Sequence, residues 1–165
     1  MTAYMIGLYT GQREGDVLRL PRTRYDGSGF EIRQGRPDAK RGKGRKGRVV
    51  EIYVPAVKVL REYLAALSNP GLLFVAHADG RPVKDYELQD EIRPRLDALG
   101  HTDYVFHGLR HTTGAALAEM GATDREIMSI LGHLTEQMVT RYRKRANQRL
   151  LAKSAIKKLE KGGGL

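Results

Sequence analysis

The stretch from His107 to Tyr142 reads HGLRHTTGAALAEMGATDREIMSILGHLTEQMVTRY and brings imidazole, guanidinium and phenol groups together. His107 and Arg110 are three residues apart, so on a helix both project from the same face. His133 follows in a Leu-Gly-His turn, and Tyr142 comes nine residues later. An imidazole transfers protons near neutral pH, a guanidinium holds phosphate through parallel hydrogen bonds, and a phenol can be a nucleophile. The pattern predicts phosphoryl transfer with a covalent tyrosyl intermediate.

Composition limits the class of protein. The 165-residue chain is 41% hydrophobic, carries a net charge of +10 and contains no cysteine. We expect one globular domain over residues 1–161 and a flexible glycine tail at 162–165. The excess of cations favours a polyanion, either nucleic acid or an acidic membrane surface. The absence of cysteine excludes disulfides and thiolate catalysis and fits a cytoplasmic location. The longest apolar run is residues 72–76, so no membrane span is expected.

The spacing of apolar residues predicts a mainly α-helical domain with a small antiparallel β-sheet, an α+β fold. Thr123 and Glu126 have the spacing of a capping box, and Pro55 suits the first position of a helix. Residues 49–54 alternate apolar with polar side chains, as a strand does. The expected helices cover residues 3–10, 14–20, 55–68, 85–99, 108–120, 123–131, 136–143 and 147–161, and the expected strands residues 30–33, 49–54 and 72–75.

Two of these strands flank a glycine-rich segment and predict a β-hairpin with a long basic tip. The interval 33–48 holds eight cationic residues against one acid, Asp38. These positive charges repel one another unless a polyanion is bound, so we expect the tip to bind phosphates in a salt-dependent way. A solvated flexible loop is the alternative. An ammonium group there can also donate a proton to a leaving oxygen, although composition does not choose the lysine. The cations after Arg33 are Arg36, Lys40, Arg41, Lys43, Arg45, Lys46 and Arg48.

An early arginine is a further candidate for anion binding. Arg13 follows Gly11, which permits a tight turn between the first two expected helices. It therefore lies at a helix N-terminus, where N–H donors suit an anion. Asp16, three residues on, can hold the guanidinium in place. The same spacing is also typical of an ordinary surface salt bridge, and the sequence leaves both interpretations open.

In this order, the motifs resemble the catalytic domain of the tyrosine recombinases, also called the phage integrase family. Residues 10–18 resemble the family's first-arginine motif, and residues 107–112 its second-arginine motif. Residues 131–133, with Tyr142 nine positions later, match the family's spacing, and residues 42–50 resemble its Gly-Lys-Gly hairpin. The resemblance implies the fold of DNA breaking-rejoining enzymes and the activity of a site-specific recombinase or integrase.

The resemblance also implies roles for the site residues. Tyr142 attacks a DNA phosphodiester and becomes joined to the 3′ phosphate, which releases a 5′ hydroxyl. Arg13 and Arg110 hold the non-bridging oxygens and counter the charge of the transition state. His107 accepts and returns the tyrosine proton. Asp16 matches the acidic position that supports the first arginine.

Two further roles follow from the same resemblance. His133 hydrogen-bonds the phosphate. Lys43, with Lys40 as the second choice, protonates the departing 5′ oxygen. Because guanidinium and ammonium groups replace the cation that many nucleases use, the resemblance implies no metal and no other cofactor.

The partners implied by the resemblance are double-stranded DNA and further copies of the chain, assembled as a tetramer on DNA. A cytoplasmic, nucleoid-associated protein encoded by a bacterium or a phage is expected. Residues 147–161 carry an apolar stripe among lysines, and docking on its own domain and exchange with a neighbouring protomer both remain open. The chain begins almost at the first-arginine motif, so we expect a catalytic domain truncated at its N-terminal side.

Alternatives remain for the function and for single residues. A catalytically silent DNA-binding module of the same fold and a type IB topoisomerase are the competing functions. Tyr142 by itself also fits a residue at the edge of the core, near Val139. For His111 the sequence leaves open a direct role and a packing or capping role.

Overall fold

Helices make up most of the structure. The computed structural model describes residues 1–35, 40–41, 45–46, 49–68, 71–132 and 137–161. The helices are α1 Thr2–Thr10, α2 Glu14–Leu18, α3 Lys58–Ala65, α4 Asp85–Ala98, α5 His107–Glu119, α6 Asp124–Leu131 and α7 Gln137–Lys161. The strands are β1 Gly29–Gln34, β2 Lys40–Arg41, β3 Arg45–Lys46 and β4 Val50–Pro55. The predicted fold class, mainly α with a small antiparallel sheet, is confirmed.

The predicted β-hairpin is present. β1 and β4 pair antiparallel, with Gln34 opposite Val50 at the end nearest the tip, and β2 pairs with β3 within the tip. Along β1 the side chains alternate, so that Phe30, Ile32 and Gln34 are buried while those between them are exposed. A strand places every second side chain on the same face, and this face meets the core. Gln34 is therefore a polar residue at a core-facing position.

Glycines end two helices that lie at the candidate site. Gly11 follows α1 with φ 65°, and Gly132 follows α6 with φ 66°. The left-handed conformation is open to glycine at little cost and lets the C-cap N–H turn back to the last helical turn. The Gly11 N–H donates to the Gly7 carbonyl, and the Gly132 N–H donates to the Met128 carbonyl. Each helix therefore stops abruptly, with other carbonyls at its end available to side chains.

Two groups of buried apolar side chains support the site. The first is built on the β1–β4 hairpin and the helices around it, and in it Phe30 and Phe74 meet edge to face with ring centroids 5.6 Å apart. The second joins α5, α6 and α7 and consists of Ala118, Ile127, Leu131, Val139 and Tyr142. The predicted capping box at Thr123 and Glu126 is confirmed at the start of α6.

Two elements predicted after the hairpin were wrong. Pro55 is the last residue of β4, opposite Gly29, and the helix begins only at Lys58. Proline is tolerated at a strand end, where no ladder hydrogen bond needs its missing N–H. The predicted strand 72–75 is a single bridge, Leu73 with Pro21, and its flanking hydrogen bonds go to the loop after α2. The apolar run reflects burial of side chains rather than membership of a sheet.

The C-terminal region forms one helix where two were predicted. α7 runs without a break from Gln137 to Lys161. The segment contains no glycine or proline, and its arginine, lysine, alanine, glutamine and leucine residues favour a helix. Residues 152–161 are exposed, including Ile156 and Leu159. No helix in the described ranges is both long and apolar enough to cross a lipid bilayer.

Candidate active site

Arg110 lies in the interior of the protein, with 2% of its surface exposed. Its Nη1 donates to the Gly11 carbonyl (2.9 Å) and its Nη2 to the Leu131 carbonyl (2.6 Å). These carbonyls lie at the C-terminal ends of α1 and α6, where peptide dipoles place partial negative charge. Within the described ranges, no carboxylate pairs with Arg110. Peptide dipoles orient the guanidinium but leave its positive charge uncancelled.

The surroundings of Arg110 act on its protonation. Burial lowers the pKa of the Arg110 guanidinium to about 10, and the positive charge of Arg13 acts in the same direction. Tyr142 and Asp16 act in the opposite direction. Burial and Arg13 lower the pKa because a low-polarity environment and a nearby cation both disfavour the protonated, charged form of the guanidinium. At neutral pH the group is still charged, and a further anion would stabilise it.

Arg13 remains accessible, in contrast to Arg110. It precedes α2, and 43% of its side chain is exposed. Its Nη1 donates to Gln34 Oε1 at 3.4 Å and lies 3.9 Å from Asp16 Oδ2. Asp16 is buried and also lies 3.5 Å from Arg19 Nη2. A buried carboxylate between two arginines differs from an ordinary surface salt bridge, and the supporting role of Asp16 stays a prediction.

Three aromatic rings form a row from α5 to α7. His107 begins α5, and its ring centroid lies 5.2 Å from that of His111, one turn later. The His111 ring lies 5.5 Å from the Tyr142 ring in an edge-to-face arrangement. Burial lowers the pKa of the His107 imidazole, and the charges of His111, Arg110 and Arg13 lower it further. The neutral imidazole, the form that accepts a proton, is therefore favoured at neutral pH.

Tyr142 packs closely against α5. It is 7% exposed and belongs to the second core group with Val139. A Cβ atom added to Gly114 would lie 3.0 Å from two atoms of the Tyr142 ring, so a larger residue there would have to displace the ring by a few tenths of an ångström. The predicted nucleophile is thus a packed residue at the edge of the core, as the alternative interpretation of Tyr142 expected, and its role as nucleophile stays a prediction.

The structure brings together several predicted site residues from separate parts of the chain. They come from the α1–α2 connection, α2, α5 and α7, and they are Arg13, Asp16, His107, Arg110 and Tyr142.

Other predicted site residues cannot be placed in this way. Lys43 and His133 lie outside the described residues, as do Arg36 and Arg48. The remaining hairpin cations, Lys40, Arg41, Arg45 and Lys46, lie on the short strands β2 and β3.

Sequence reasoning missed two buried glutamines beside the arginines. Gln12 is 1% exposed and Gln34 is 2% exposed, and they hydrogen-bond to each other. The alternation of β1 contained a signal for Gln34, because it follows Phe30 and Ile32 at the core-facing positions. A polar residue in such a place has partners to satisfy, and here one of them is Arg13.

Comparison with known proteins identifies the family of the chain. The model of the phage integrase family matches residues 1–149. The chain belongs to the phage integrase family. This integrase-family chain is 27% identical over 152 residues to a putative integrase/recombinase, y4eF, of Sinorhizobium fredii (strain NBRC 101917 / NGR234), a match covering 92% of the chain and 57% of the relative. It is 34% identical over 116 residues to the tyrosine recombinase XerC of Methylobacterium sp. (strain 4-46), covering 67% of the chain and 36% of the relative.

Solved structures share the fold of this integrase-family chain. The crystal structure of XerA recombinase superimposes with a TM-score of 0.65 at 21% identity, over 91% of this chain and 54% of that one. The Tn1549 transposon integrase in complex with circular intermediate DNA gives a TM-score of 0.67 at 15% identity, over 89% of this chain and 56% of that one. The chain thus spans little more than half the length of these two structures.

Proposed function

We propose that the chain is the catalytic domain of a site-specific DNA recombinase or integrase that breaks and rejoins DNA through a 3′-phosphotyrosyl intermediate, without a metal. The observation that carries this proposal is the uncancelled charge of Arg110, which is buried and held by two carbonyls. Arg13 is close enough for its positive charge to lower the pKa of Arg110. Two cations at one site favour an anion between them. A phosphodiester offers one negative charge and two non-bridging oxygens, which suits a pair of guanidinium groups.

The proposed reaction exchanges one phosphodiester for another. The Tyr142 oxygen attacks phosphorus, the bond from phosphorus to the 5′ oxygen breaks, and the 3′ phosphate remains joined to the tyrosine. The phenol proton goes to neutral His107, and Lys43 donates a proton to the departing 5′ oxygen. Arg13 and Arg110 stabilise the added charge of the transition state. Attack by a 5′ hydroxyl on the phosphotyrosine reverses these transfers and rejoins the strand.

The remaining residues support binding and alignment. His133 donates a hydrogen bond to the phosphate, and Asp16 holds Arg13. The basic tip of the hairpin contacts the DNA backbone through Arg36, Lys40, Arg41, Arg45, Lys46 and Arg48, which makes binding depend on salt.

Double-stranded DNA is the proposed substrate, and a tetramer of the chain on DNA is the proposed assembly. The Tn1549 integrase, which shares the fold, is described in complex with DNA. Exposed apolar side chains in the second half of α7, such as Ile156 and Leu159, fit the proposed exchange of residues 147–161 between protomers.

A trapping experiment tests the proposal. In a nicked duplex with randomised core sequence, cleavage releases the short fragment that carries the 5′ hydroxyl. Without that fragment the strand cannot be rejoined, so a covalent protein–DNA adduct accumulates and survives denaturation. We expect wild type and Tyr104→Phe, a control at an exposed tyrosine, to form equal adduct, and Tyr142→Phe to form none. Peptide mapping should locate the DNA on Tyr142.

Other outcomes select other functions. Equal adduct from Tyr142→Phe shows that the nucleophile is a different residue. Salt-sensitive DNA binding without adduct from wild type supports a silent DNA-binding module. Relaxation of supercoiled plasmid at no preferred sequence supports a type IB topoisomerase.

A further inference from the structure

We propose that Gln34 is a positioning residue that fixes Arg13 relative to Arg110. The inference rests on the proposed function, because it concerns the two guanidinium groups that would hold the phosphate. Gln34 ends β1 at a core-facing position and is 2% exposed. Its side chain contacts the connection between α1 and α2 and the end of α6. A single buried amide therefore joins the hairpin to two other elements of the candidate site.

The orientation of the Gln34 amide follows from its partners. Gln12 Nε2 donates to the carbonyls of Thr10 (2.8 Å) and Ile130 (2.9 Å), which turns Gln12 Oε1 toward Gln34. Gln34 Nε2 donates to that oxygen (2.5 Å) and to the Leu131 carbonyl (2.9 Å). The reverse orientation would place Gln34 Oε1 against two acceptors, so the network excludes it.

This orientation leaves Gln34 Oε1 facing Arg13. The oxygen accepts from Arg13 Nη1 at 3.4 Å. A buried amide with both hydrogens engaged cannot rotate to follow a moving guanidinium. Arg13 is 43% exposed, and its Nη1 lies 3.9 Å from Asp16 Oδ2, beyond hydrogen-bond distance, so that contact does not fix one rotamer. Gln34 therefore supplies a fixed acceptor to a mobile donor.

The same amide is tied to Arg110 through one carbonyl. Leu131 accepts from Gln34 Nε2 and from Arg110 Nη2 at 2.6 Å. A Cβ atom at Gly132 would collide with the Gln34 amide, so the amide packs directly on the backbone after α6. Arg13, Gln34, Leu131 and Arg110 thus form one chain of contacts, and the spacing of the two guanidinium groups depends on Gln34.

A double-mutant cycle separates positioning from a general structural role. Gln34→Met keeps the length of the side chain and removes its polar atoms. With a nicked duplex recovered from the trapping experiment, we expect it to slow single-turnover adduct formation about tenfold, the size expected for one oriented hydrogen bond to a charged group. In an Arg13→Ala background the same change should have little further effect, because no guanidinium remains to be positioned. Equal slowing in both backgrounds overturns the inference.

Gln89→Met provides a matched control. Gln89 is partly buried and donates to Glu14 at 2.8 Å, and among the described residues it has no hydrogen bond to Arg13. We expect this variant to lose a comparable hydrogen bond and to cleave at the rate of wild type. Slowing equal to that of Gln34→Met would mean that any lost glutamine contact has the same effect, and would overturn the inference.

A second readout needs neither DNA nor activity. The Nε–H resonance of Arg13, assigned with Arg13→Lys and recorded by proton–nitrogen NMR at mildly acidic pH, reports the order of the guanidinium. We expect it to move toward the position of a free arginine in Gln34→Met and to stay unchanged in Gln89→Met. If Gln34→Met does not fold, Gln12→Met removes one acceptor that orients Gln34 and should move the signal in the same direction.

The two readouts distinguish the inference from the function on which it rests. If wild type forms no adduct, the proposed function fails, and the resonance still decides whether Gln34 positions Arg13. If wild type forms adduct while Gln34→Met matches its rate and its Arg13 resonance, the inference alone is wrong.

Discussion

Replacing Arg110 by methionine should remove DNA cleavage while changing the stability of the protein only modestly. Burial lowers the pKa of Arg110 to about 10, a shift that corresponds to a cost of about 3 kcal/mol for keeping the buried group charged. Arg110→Met removes this cost. It also removes the donor to the Gly11 carbonyl, which costs about 1–3 kcal/mol, whereas the Leu131 carbonyl keeps the hydrogen bond from Gln34. The two effects partly cancel, and we expect a net change of no more than about 2 kcal/mol.

Thermal denaturation followed by circular dichroism measures this balance. For a domain of this size, about 1 kcal/mol corresponds to a shift of roughly 2–4 °C in Tm. Phe106→Ala, at a residue that is 2% exposed, is the comparison, and we expect it to cost about 3–5 kcal/mol. If Arg110→Met lowers Tm as far as Phe106→Ala does, Arg110 is a structural residue and the electrostatic reasoning fails.

The rate of DNA cleavage, unlike stability, should depend strongly on Arg110. Loss of one donor to a developing oxyanion typically costs about 100- to 1,000-fold in rate, so Arg110→Met should form adduct at least that much more slowly than wild type. Sulfate should raise the Tm of wild type above that in chloride at equal ionic strength, because an anion relieves the unpaired charge. Because sulfate also stabilises proteins by exclusion from their surface, Arg110→Met should still gain Tm in this comparison, but less than wild type.

Two further predictions concern α5. Gly114→Ala should lower Tm and slow adduct formation, because overpacking against the Tyr142 ring costs about 1–3 kcal/mol. Gly108→Ala is the control: its added methyl group meets nothing within 4 Å, so the variant should gain up to about 1 kcal/mol in helix propensity. Equal shifts in Tm for the two variants would contradict this. The lowered pKa of His107 keeps the imidazole neutral to lower pH, so its contribution to stability is present above the ordinary histidine pKa and lost as pH falls through the lowered value. His111→Phe removes a neighbouring positive charge and should raise the His107 pKa in an NMR titration, moving the acidic limb of the cleavage rate to higher pH; an unchanged or lower pKa would refute this coupling.

Local patterns were sufficient to predict most of the fold. The capping box at Thr123 and the alternation of the β4 strand have short-range physical causes, and both elements are present. The prediction at Pro55 was wrong because proline suits a strand end as well as a helix start, and only the pairing with Gly29 decides between them. The break expected within α7 was wrong because no residue there terminates a helix.

The candidate site was predictable in its residue types and not in its contacts. Motif order indicated Arg13, His107, Arg110 and Tyr142, because the chemistry of each side chain can be read from the sequence. The acceptors that hold Arg110 are backbone carbonyls, which every residue possesses, so no sequence pattern marks them. Their position depends on how α1 and α6 end relative to α5, which is a property of the tertiary structure.

The way in which the two arginines are held gives them different parts in anion binding. A carboxylate beside Arg110 would cancel its charge before any phosphate arrived, whereas peptide carbonyls fix its direction and keep the charge available. Burial of the unpaired charge lowers the free energy of unfolding, and a bound anion would offset that cost. Arg13 is partly exposed and lies beside Asp16, which Arg19 also contacts, so the charge of Arg13 is partly balanced and its position depends on a separate contact. Under the proposed function, a rigid, desolvated guanidinium together with a partly exposed one positioned by Gln34 would capture a phosphate from solvent and hold it in one orientation.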